Sequence, residues 1–202
     1  MTETRPSHGA LTPSQRMLCE AMLPALVINR RGQRPLLLTG EVGVGKTLLA
    51  QRMAGEGITY HNVARQHLPA LLAQHNLTDL TPEAVVRHLK DLAQASTAAT
   101  IVDGLDLLLS MWAVESPGLW PNFFVALGRL TLDCPLLVVI RTSAHLSYQA
   151  LSTHAWFPLE RCFRLELTLA DKEVVARNWS LDPMRARVSA NLYELLATKL
   201  EG

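Results

Sequence analysis

A glycine-rich segment near residue 40 has the residue types and the spacing that suit the binding of phosphate groups. Four residues separate two glycines, and Lys and Thr follow, in the stretch Gly40-Glu41-Val42-Gly43-Val44-Gly45-Lys46-Thr47. Successive backbone N–H groups of such a turn can surround a phosphate, and the positive end of a following helix adds to the attraction. Glycines are expected here because they let the backbone approach the phosphates closely.

The end of this segment indicates a site for a nucleoside triphosphate. Lys46 is expected to reach the β- and γ-phosphates, and the Thr47 hydroxyl is expected to bind Mg²⁺. The apolar run 35–39 predicts a strand before the loop and the run 48–53 predicts a helix after it, which is the context that the motif requires. This agreement disfavours a chance glycine-rich turn. The predicted nucleotide-binding residues are Gly40, Glu41, Val42, Gly43, Val44, Gly45, Lys46, Thr47 and Leu48.

A second predicted strand supplies an acid for the same metal ion. The run 98–103 is mostly apolar and ends in Asp103, whose carboxylate can face a Mg²⁺ bound by Thr47. The alternative is that Asp103 only ends a strand in an Asp103-Gly104 turn, which is common. The phosphate loop favours the metal role, so Thr47 and Asp103 are the predicted metal ligands.

Hydrolysis also requires a group that orients or deprotonates water. Many P-loop ATPases have Glu directly after the metal-holding Asp, but this chain has Gly104 there. Asp106 is therefore our first choice, and Glu41 is another carboxylate close to the γ-phosphate, although it can also face solvent. The pattern leaves open a slow ATPase and a nucleotide-binding switch.

Two further pairs of polar residues lie at the ends of predicted strands. The buried run 136–140 is followed by Thr142 and Ser143, whose hydroxyls can contact the γ-phosphate or the attacking water, or can cap a following helix. Arg161 and Arg164 flank the start of the last strand. Either arginine can complete the nucleotide site of a neighbouring subunit, or can be a solvated surface residue.

The order of elements predicts an α/β fold in which a mostly parallel five-stranded sheet has helices on both faces. Predicted strands cover 35–39, 58–63, 98–103, 135–140 and 163–167. The first predicted helix begins at Thr12-Pro13 and ends at Val27 or Asn29, with Pro24 kinking or splitting it. Further predicted helices cover 48–53, a stretch after Thr81-Pro82, and 121–132. We expect a flexible leader over 1–11, the nucleotide-binding domain over 12–170 and a short helical tail or reduced lid over 171–202.

Composition narrows the functional classes. A net charge of +1 excludes a general attraction for nucleic acid or anionic membranes, and 49% hydrophobic residues favour a compact protein over a disordered one. The cysteines Cys19, Cys134 and Cys162 have no metal or redox spacing, and residues 1–14 contain no apolar signal. No apolar run is long enough to cross a bilayer. We therefore expect a reduced, cytoplasmic setting.

Aromatic residues are concentrated at 111–112 and 120–124. They can form a partner-facing or base-stacking surface, but packing of a loop and a helix on the core is the commoner explanation. His61, His67 and His75 have no convincing metal spacing and are interpreted as surface or strand-end residues.

Taken together, these motifs resemble the AAA+ and STAND branches of the P-loop ATPases. Gly40–Thr47 resembles an AAA+ Walker A loop, and Asp103-Gly104-Leu105-Asp106 is similar to the Walker B of STAND ATPases, with a second acid at the same offset. Thr142 matches the sensor position. Leu159-Glu160-Arg161-Cys162 resembles the Ser-Arg-Cys box of clamp-loader subunits, with Glu160 in place of Ser.

The resemblance implies ATP and Mg²⁺ as cofactors, a sheet of strand order 5-1-4-3-2 and action as a ring or open homo-oligomer. The missing Glu after Asp103 puts the rate of hydrolysis in question. The tail after residue 170 is expected to form only a reduced lid, with Arg177, Arg185 or Arg187 as candidates for its sensor arginine.

A narrower resemblance is to the BrxF family of small P-loop proteins in BREX phage-exclusion systems. It is carried by His61-Asn62-Val63 and by Val102-Asp103-Gly104-Leu105-Asp106-Leu107-Leu108-Leu109. This implies bacterial antiviral defence alongside larger protein partners that act on DNA.

Two functional hypotheses follow. The first is a Mg-ATP-dependent ATPase or switch that couples nucleotide to self-assembly or to a partner complex acting on DNA. The second is a regulatory module that binds nucleotide with little turnover and assembles with a larger protein. A small-molecule kinase uses the same loop but has no further support here.

Overall fold

The computed structural model describes residues 11–28, 32–55, 57–70, 80–96, 99–116, 118–142, 151 and 156–180. It divides the chain into two compact units, Met17–Glu166 and a unit that combines Met1–Arg16 with Leu167–Gly202. The predictions for residues 1–10, His75, Ser143, Arg185, Arg187, the side chain of Arg177 and the tail after residue 180 lie outside the described residues. The predicted domain boundaries after residues 11 and 170 stay predictions.

The larger unit contains a five-stranded parallel sheet of order β2-β3-β4-β1-β5. This confirms the predicted order 5-1-4-3-2, since it is the same order read from the other edge. The inner strands β3 and β4 are almost wholly buried, as expected for continuous apolar runs in a parallel sheet. The strands are β1 (Leu36–Gly40), β2 (Ile58–Asn62), β3 (Ala99–Asp103), β4 (Leu136–Arg141) and β5 (Cys162–Leu165).

Within the described residues, the structure gives the bounds of seven α-helices, the last of which belongs to the smaller unit. They are α1 (Pro13–Val27), α2 (Lys46–Met53), α3 (Val63–Gln66), α4 (Pro82–Ala95), α5 (Asp106–Glu115), α6 (Leu119–Arg129) and α7 (Leu169–Ser180). A short 3₁₀ helix, Leu159–Arg161, precedes β5. None of the described helices has the length and hydropathy needed to cross a membrane.

Several of these helices match the predicted ones, and the exceptions have physical reasons. Pro24 lies inside α1 without splitting it, and the N–H of Ile28 still bonds to the Pro24 carbonyl at 3.2 Å. The helix α5 has no counterpart among the predicted elements because apolar residues occupy nearly all of its faces, which hides the helical period. Thr81 caps α4 as predicted, since its hydroxyl accepts the Ala84 N–H at 3.2 Å.

The aromatic residues after β3 belong to the hydrophobic core. Trp112, Trp120, Phe123 and Phe124 are buried, and their rings contact one another across α5 and α6. The Trp112 indole N–H donates to the Leu80 carbonyl at 3.2 Å, so its polar atom is satisfied. This supports the packing interpretation of these residues over a partner-facing surface.

In the smaller unit, one carboxylate joins the starts of two helices. Asp171, in the first turn of α7, accepts hydrogen bonds from the backbone N–H and hydroxyl of Thr168, at 2.7 and 2.6 Å. It also accepts the N–H and hydroxyl of Ser14 in α1, at 2.9 and 2.5 Å. Burial of this side chain acts to raise its pKa, but these four donors hold the pKa of Asp171 well below its usual range.

Candidate functional site at the carboxyl edge of the sheet

The predicted site residues meet at one edge of the sheet. The glycine-rich loop joins β1 to α2, Asp103 ends β3, and Thr142 directly follows β4. Because all five strands are parallel, their carboxyl ends lie at the same edge, where ligands of open α/β sheets bind.

The loop glycines are required for two different reasons. Gly43 and Gly45 have φ angles of 80° and 85°, in the left-handed region that side chains disfavour. At Gly40, a Cβ would lie 2.6 Å from the Leu165 carbonyl oxygen, so this residue allows β1 and β5 to approach each other. No side chain caps α2 at Gly45, which leaves the first N–H groups of this helix directed at the loop.

Lys46 is folded back over its own loop. Its Nζ donates to the carbonyl oxygens of Gly40 at 2.8 Å and Glu41 at 2.6 Å, and only 8% of the residue is exposed. Burial lowers the pKa of Lys46, while the nearby charges of Asp106 and Asp103 oppose that shift. A buried ammonium therefore lies on the loop carbonyls within the influence of two carboxylates, and phosphate oxygens could replace the carbonyls as its acceptors.

Asp103 is almost completely buried and both of its oxygens accept hydrogen bonds. The Gly104 N–H donates to Oδ1 at 2.7 Å, and the Tyr60 hydroxyl donates to Oδ2 at 3.0 Å. Burial, followed by the charge of Asp103, raises the pKa of Tyr60 to about 12. The sequence reasoning did not single out Tyr60, because nothing in a short strand predicts which residue on it faces the neighbouring acid.

Gly104 occupies the position at which many P-loop ATPases carry Glu. Its φ angle is +84°, and a Cβ there would lie 2.8 Å from Asn62 Oδ1 and 3.2 Å from the Ala64 nitrogen. Asn62 cannot move freely, because its side chain caps α3 by accepting the Arg65 N–H at 3.1 Å. A side chain at residue 104 would therefore require a strained backbone and a shift of the capping Asn62, which disfavours Glu at this position.

Asp106 brings a second carboxylate into the site. It is the first residue of α5, and its Oδ1 accepts the backbone N–H of Arg141 at 2.8 Å across from the end of β4. Burial raises the pKa of Asp106, whereas the Arg141 N–H and the Lys46 charge act to lower it. The carboxylate is therefore held in one orientation close to the loop lysine.

Residues at the end of β4 also contact the loop. The N–H of Thr142 donates to the Gly40 carbonyl at 2.9 Å, so the predicted sensor residue lies directly beside the first loop glycine. The exposed Arg141 is near enough to act on the pKa of Lys46 and lower it. Sequence reasoning assigned no role to Arg141, although its position at a strand end beside Thr142 was a usable signal.

The remaining loop positions are accessible. Glu41, Val42 and Thr47 are exposed, and Leu48 is half-buried. Among the described residues, no group of three or more His, Cys, Asp or Glu side chains could hold a metal ion by itself. The hydroxyl of Thr47 and the carboxylate of Asp103 nevertheless fit Mg²⁺, which binds oxygen and takes most of its ligands from water and substrate phosphates.

Arg161 is not brought to this edge. It directly precedes β5, at the amino end of the sheet, and its guanidinium donates to the carbonyls of Gly128 at 3.1 Å and Pro35 at 3.4 Å. The same group lies 5.0 Å from the centre of the Phe157 ring. Burial and the charge of Arg34 lower the pKa of Arg161. Arg164, on β5, forms an ion pair with Glu166.

Two solved structures are among those that are similar to this chain. AMPPCP-bound DnaA from Aquifex aeolicus is similar over 88% of this chain and 56% of its own, with 12% identity and a TM-score of 0.46. A structure that describes the basis of katanin self-assembly is similar over 76% of this chain and 49% of the katanin chain, with 19% identity and a TM-score of 0.39. The chain thus spans about half of each. Likenesses at this level do not indicate what this chain binds.

No protein-family model and no curated protein sequence matches the chain. The fold therefore rests on the structure itself. The parallel sheet, its strand order and a glycine-rich loop between β1 and α2 are the features of a P-loop nucleotide-binding fold.

Proposed function

We propose that this chain is a Mg-ATP-binding ATPase or nucleotide switch of AAA+-like type, whose nucleotide state controls assembly with itself or with a larger protein partner. The observation that carries the proposal is the position of Lys46. Its ammonium lies on the carbonyls of a glycine-rich loop, and the charges of Asp103 and Asp106 act on it at the carboxyl edge of a parallel sheet.

The proposed binding step uses the loop and the lysine. Backbone N–H groups of residues 43–47 bind the phosphates, and the Nζ of Lys46 exchanges the carbonyls of Gly40 and Glu41 for β- and γ-phosphate oxygens. Thr47 and Asp103 would hold Mg²⁺, which neutralises charge on the phosphates when bound. Thr142, whose N–H donates to the Gly40 carbonyl, is the proposed sensor of the γ-phosphate.

Asp106 is the proposed group that orients the attacking water and accepts its proton. Gly104 cannot carry a carboxylate, because a side chain there would collide with Asn62. Asp106 is held by the Arg141 N–H close to Lys46, and a raised pKa makes a carboxylate a better proton acceptor. These observations favour Asp106 over the exposed Glu41.

The first test separates nucleotide binding from general effects of losing a lysine. Lys46→Ala should lower the affinity for a fluorescent ATP analogue by about a hundredfold, since charge-assisted bonds to two phosphates are lost. The exposed Lys172 provides the control, and Lys172→Ala should bind normally. Normal binding by Lys46→Ala would refute the proposed site.

The second candidate function is a regulatory module with little turnover. The observation that favours it is Gly104, because the usual carboxylate is absent and its position is closed to side chains. Phosphate release over many turnovers distinguishes the two candidates. Release that is absent while ATP analogue still binds would select the regulatory module.

Self-assembly is part of the proposal and has its own test. Size-exclusion chromatography with light scattering, with and without a Mg²⁺ complex of a non-hydrolysable ATP analogue, should show a larger species when nucleotide is present. A monomer in both conditions would instead favour assembly with a larger protein. The proposal includes Arg161 or Arg164 as the arginine that completes the nucleotide site of a neighbouring copy.

The finer biological role is proposed from the sequence likeness alone. Action on DNA, BREX-type antiviral defence and a cytoplasmic location stay predictions. Four of the residues that carry this likeness also have structural roles. Asn62 caps α3, and Leu105, Leu108 and Leu109 are buried in the core. Repeating the light-scattering experiment with duplex DNA would test direct DNA binding.

A further inference from the structure

Tyr60 is a polar residue beside the site that the proposed mechanism does not use. It lies on the edge strand β2, and its hydroxyl donates to Asp103 Oδ2 at 3.0 Å. We propose that Tyr60 is a positioning residue that holds the Asp103 carboxylate in the orientation required for Mg²⁺. This inference rests on the proposed function, because it assigns a role towards the metal of that same site.

Strand pairing explains why Tyr60 can reach Asp103. In the parallel pair of β2 and β3, Asn62 is opposite Asp103 and Tyr60 is opposite Ile101. Residues two apart on a strand share a face, so the side chains of Tyr60, Asn62 and Asp103 project to the same side of the sheet. A long side chain leaning along its strand then spans the two-residue offset.

The Tyr60 hydroxyl also lies near the helix that carries the other predicted metal ligand. Burial and the charge of Asp103 raise the pKa of Tyr60, and the nearby side chains of Asn62 and Gln51 act to lower it. Gln51 lies four residues after Thr47 on α2, so both residues are on the same face of this helix. The Tyr60 hydroxyl is therefore bonded to one predicted metal ligand and lies near the helix that carries the other.

Two hydrogen bonds fix the orientation of the Asp103 carboxylate. Asp103 is 4% exposed, so water cannot easily replace a lost partner. With Gly104 N–H on Oδ1 and Tyr60 on Oδ2, rotation of the carboxylate breaks both bonds. Without the hydroxyl, only the Gly104 N–H among the described residues opposes this rotation, and loss of such outer partners typically weakens metal binding by about tenfold or more.

The test is a Mg²⁺ titration of Tyr60→Phe, which keeps the aromatic ring and removes one oxygen. Binding of a fluorescent non-hydrolysable ATP analogue is followed at fixed protein while Mg²⁺ is varied, and Mn²⁺ binding is followed in parallel by electron paramagnetic resonance. We expect Tyr60→Phe to raise the half-saturating concentration of both cations by about five- to tenfold. Analogue binding in EDTA should be unchanged. Thr59→Ala, on the opposite face of the same strand, should resemble the wild type in both.

Asp103→Asn separates the failure of this inference from the failure of the proposed function. Under the proposed function it should lose most of the Mg²⁺ dependence. If it keeps normal dependence, the metal role of Asp103 is wrong and the role of Tyr60 falls with it. If Asp103→Asn loses the dependence while Tyr60→Phe matches the wild type, only the positioning role is overturned. Equal weakening by Tyr60→Phe with and without cation would also overturn it, because that pattern indicates a general structural role.

Discussion

Each end of the sheet holds a buried or half-buried cationic side chain, but different groups stabilise the cation at each end. At the carboxyl edge, the Lys46 ammonium is bound by loop carbonyls and is acted on by the charges of Asp103 and Asp106. At the amino edge, Arg161 is bound by the carbonyls of Gly128 and Pro35 and lies over the Phe157 ring. The first arrangement combines opposite charges around a glycine-rich loop, whereas the second binds one cation to neutral groups of the core.

This difference shows how similar interactions serve different purposes. Carbonyls and a ring stabilise a guanidinium without creating a place for another charged group. Two carboxylates and an ammonium at the end of parallel strands create a polar site that an anion and a cation can enter together. We therefore expect changes at the carboxyl edge to alter binding and catalysis, and changes at the amino edge to alter stability first.

The largest expected effect is on turnover at the carboxyl edge. Asp106→Asn keeps the shape of the side chain but cannot accept a proton, so we expect ATP hydrolysis to fall by about a hundredfold or more with little change in nucleotide affinity. Phosphate release and analogue binding measure the two effects. The exposed Asp133→Asn is the matched control. Unchanged hydrolysis in Asp106→Asn would remove Asp106 from the mechanism.

The next largest expected effect is on stability, at Gly104, where many P-loop ATPases carry Glu. Gly104→Glu should lower the free energy of unfolding by about 2–3 kcal/mol, because it combines a left-handed backbone with a collision at Asn62, and it should not increase hydrolysis. Urea unfolding measures the loss. Gly57→Ala is the control, since Gly57 also has a positive φ angle, +81°, but open space around it, so we expect a loss of only about 1 kcal/mol. A stable and faster Gly104→Glu enzyme would contradict this account.

At the amino edge, Arg161→Ala should cost about 1–2 kcal/mol of stability through the loss of two hydrogen bonds to carbonyls and the ring contact. Arg164→Ala, which removes an exposed ion pair, should change stability by less than about 0.5 kcal/mol. Chemical unfolding of the two variants tests this part.

Turnover assays sharpen the same comparison. If Arg161 also acts on a neighbouring copy, Arg161→Ala should reduce ATP hydrolysis while keeping nucleotide binding. The activity of the wild type should then rise with protein concentration. Full activity in Arg161→Ala at every concentration would restrict this residue to a structural role.

The smallest expected effect involves a third group of ionisable side chains. His67 Nε2 lies 3.2 Å from His61 Nδ1, and the His67 ring is 5.1 Å from the His88 ring. The Nε2 of His88 is buried and has no hydrogen-bond partner among the described atoms. Burial and the charge of His67 lower the pKa of His61 and of His88, although Asp91 opposes the shift at His88.

A lowered pKa in the folded state fixes the sign of the pH dependence. The unfolded chain binds protons at His61 and His88 more tightly than the folded protein does. The contribution of these residues to the free energy of unfolding is therefore fully present above the ordinary histidine pKa of about 6.5. It is lost as pH falls through that value towards the lower pKa of the folded protein. We expect the Tm of the wild type to fall more between pH 7.5 and 5.5 than the Tm of His88→Leu. Equal slopes in the two proteins would show that His88 does not contribute.

Much of the fold could be predicted because it depends on local patterns. Continuous apolar runs predicted the inner strands, and Thr-Pro pairs predicted the starts of α1 and α4. The helix α5 was missed because its residues are apolar on nearly every face. The Arg161 contacts could not be predicted either, since its carbonyl partners at positions 35 and 128 are far away in the sequence.

The sequence by itself determined the glycine-rich loop, the acids Asp103 and Asp106 and the alternation of strands and helices, because each of these is set by residue type and spacing within a short stretch. Only the tertiary structure decided that Tyr60 binds Asp103, that Asn62 closes Gly104 to a side chain, and that the Arg141 N–H holds Asp106. The physical reason is strand pairing, because contacts between neighbouring strands depend on register and side-chain direction, which a single strand does not specify.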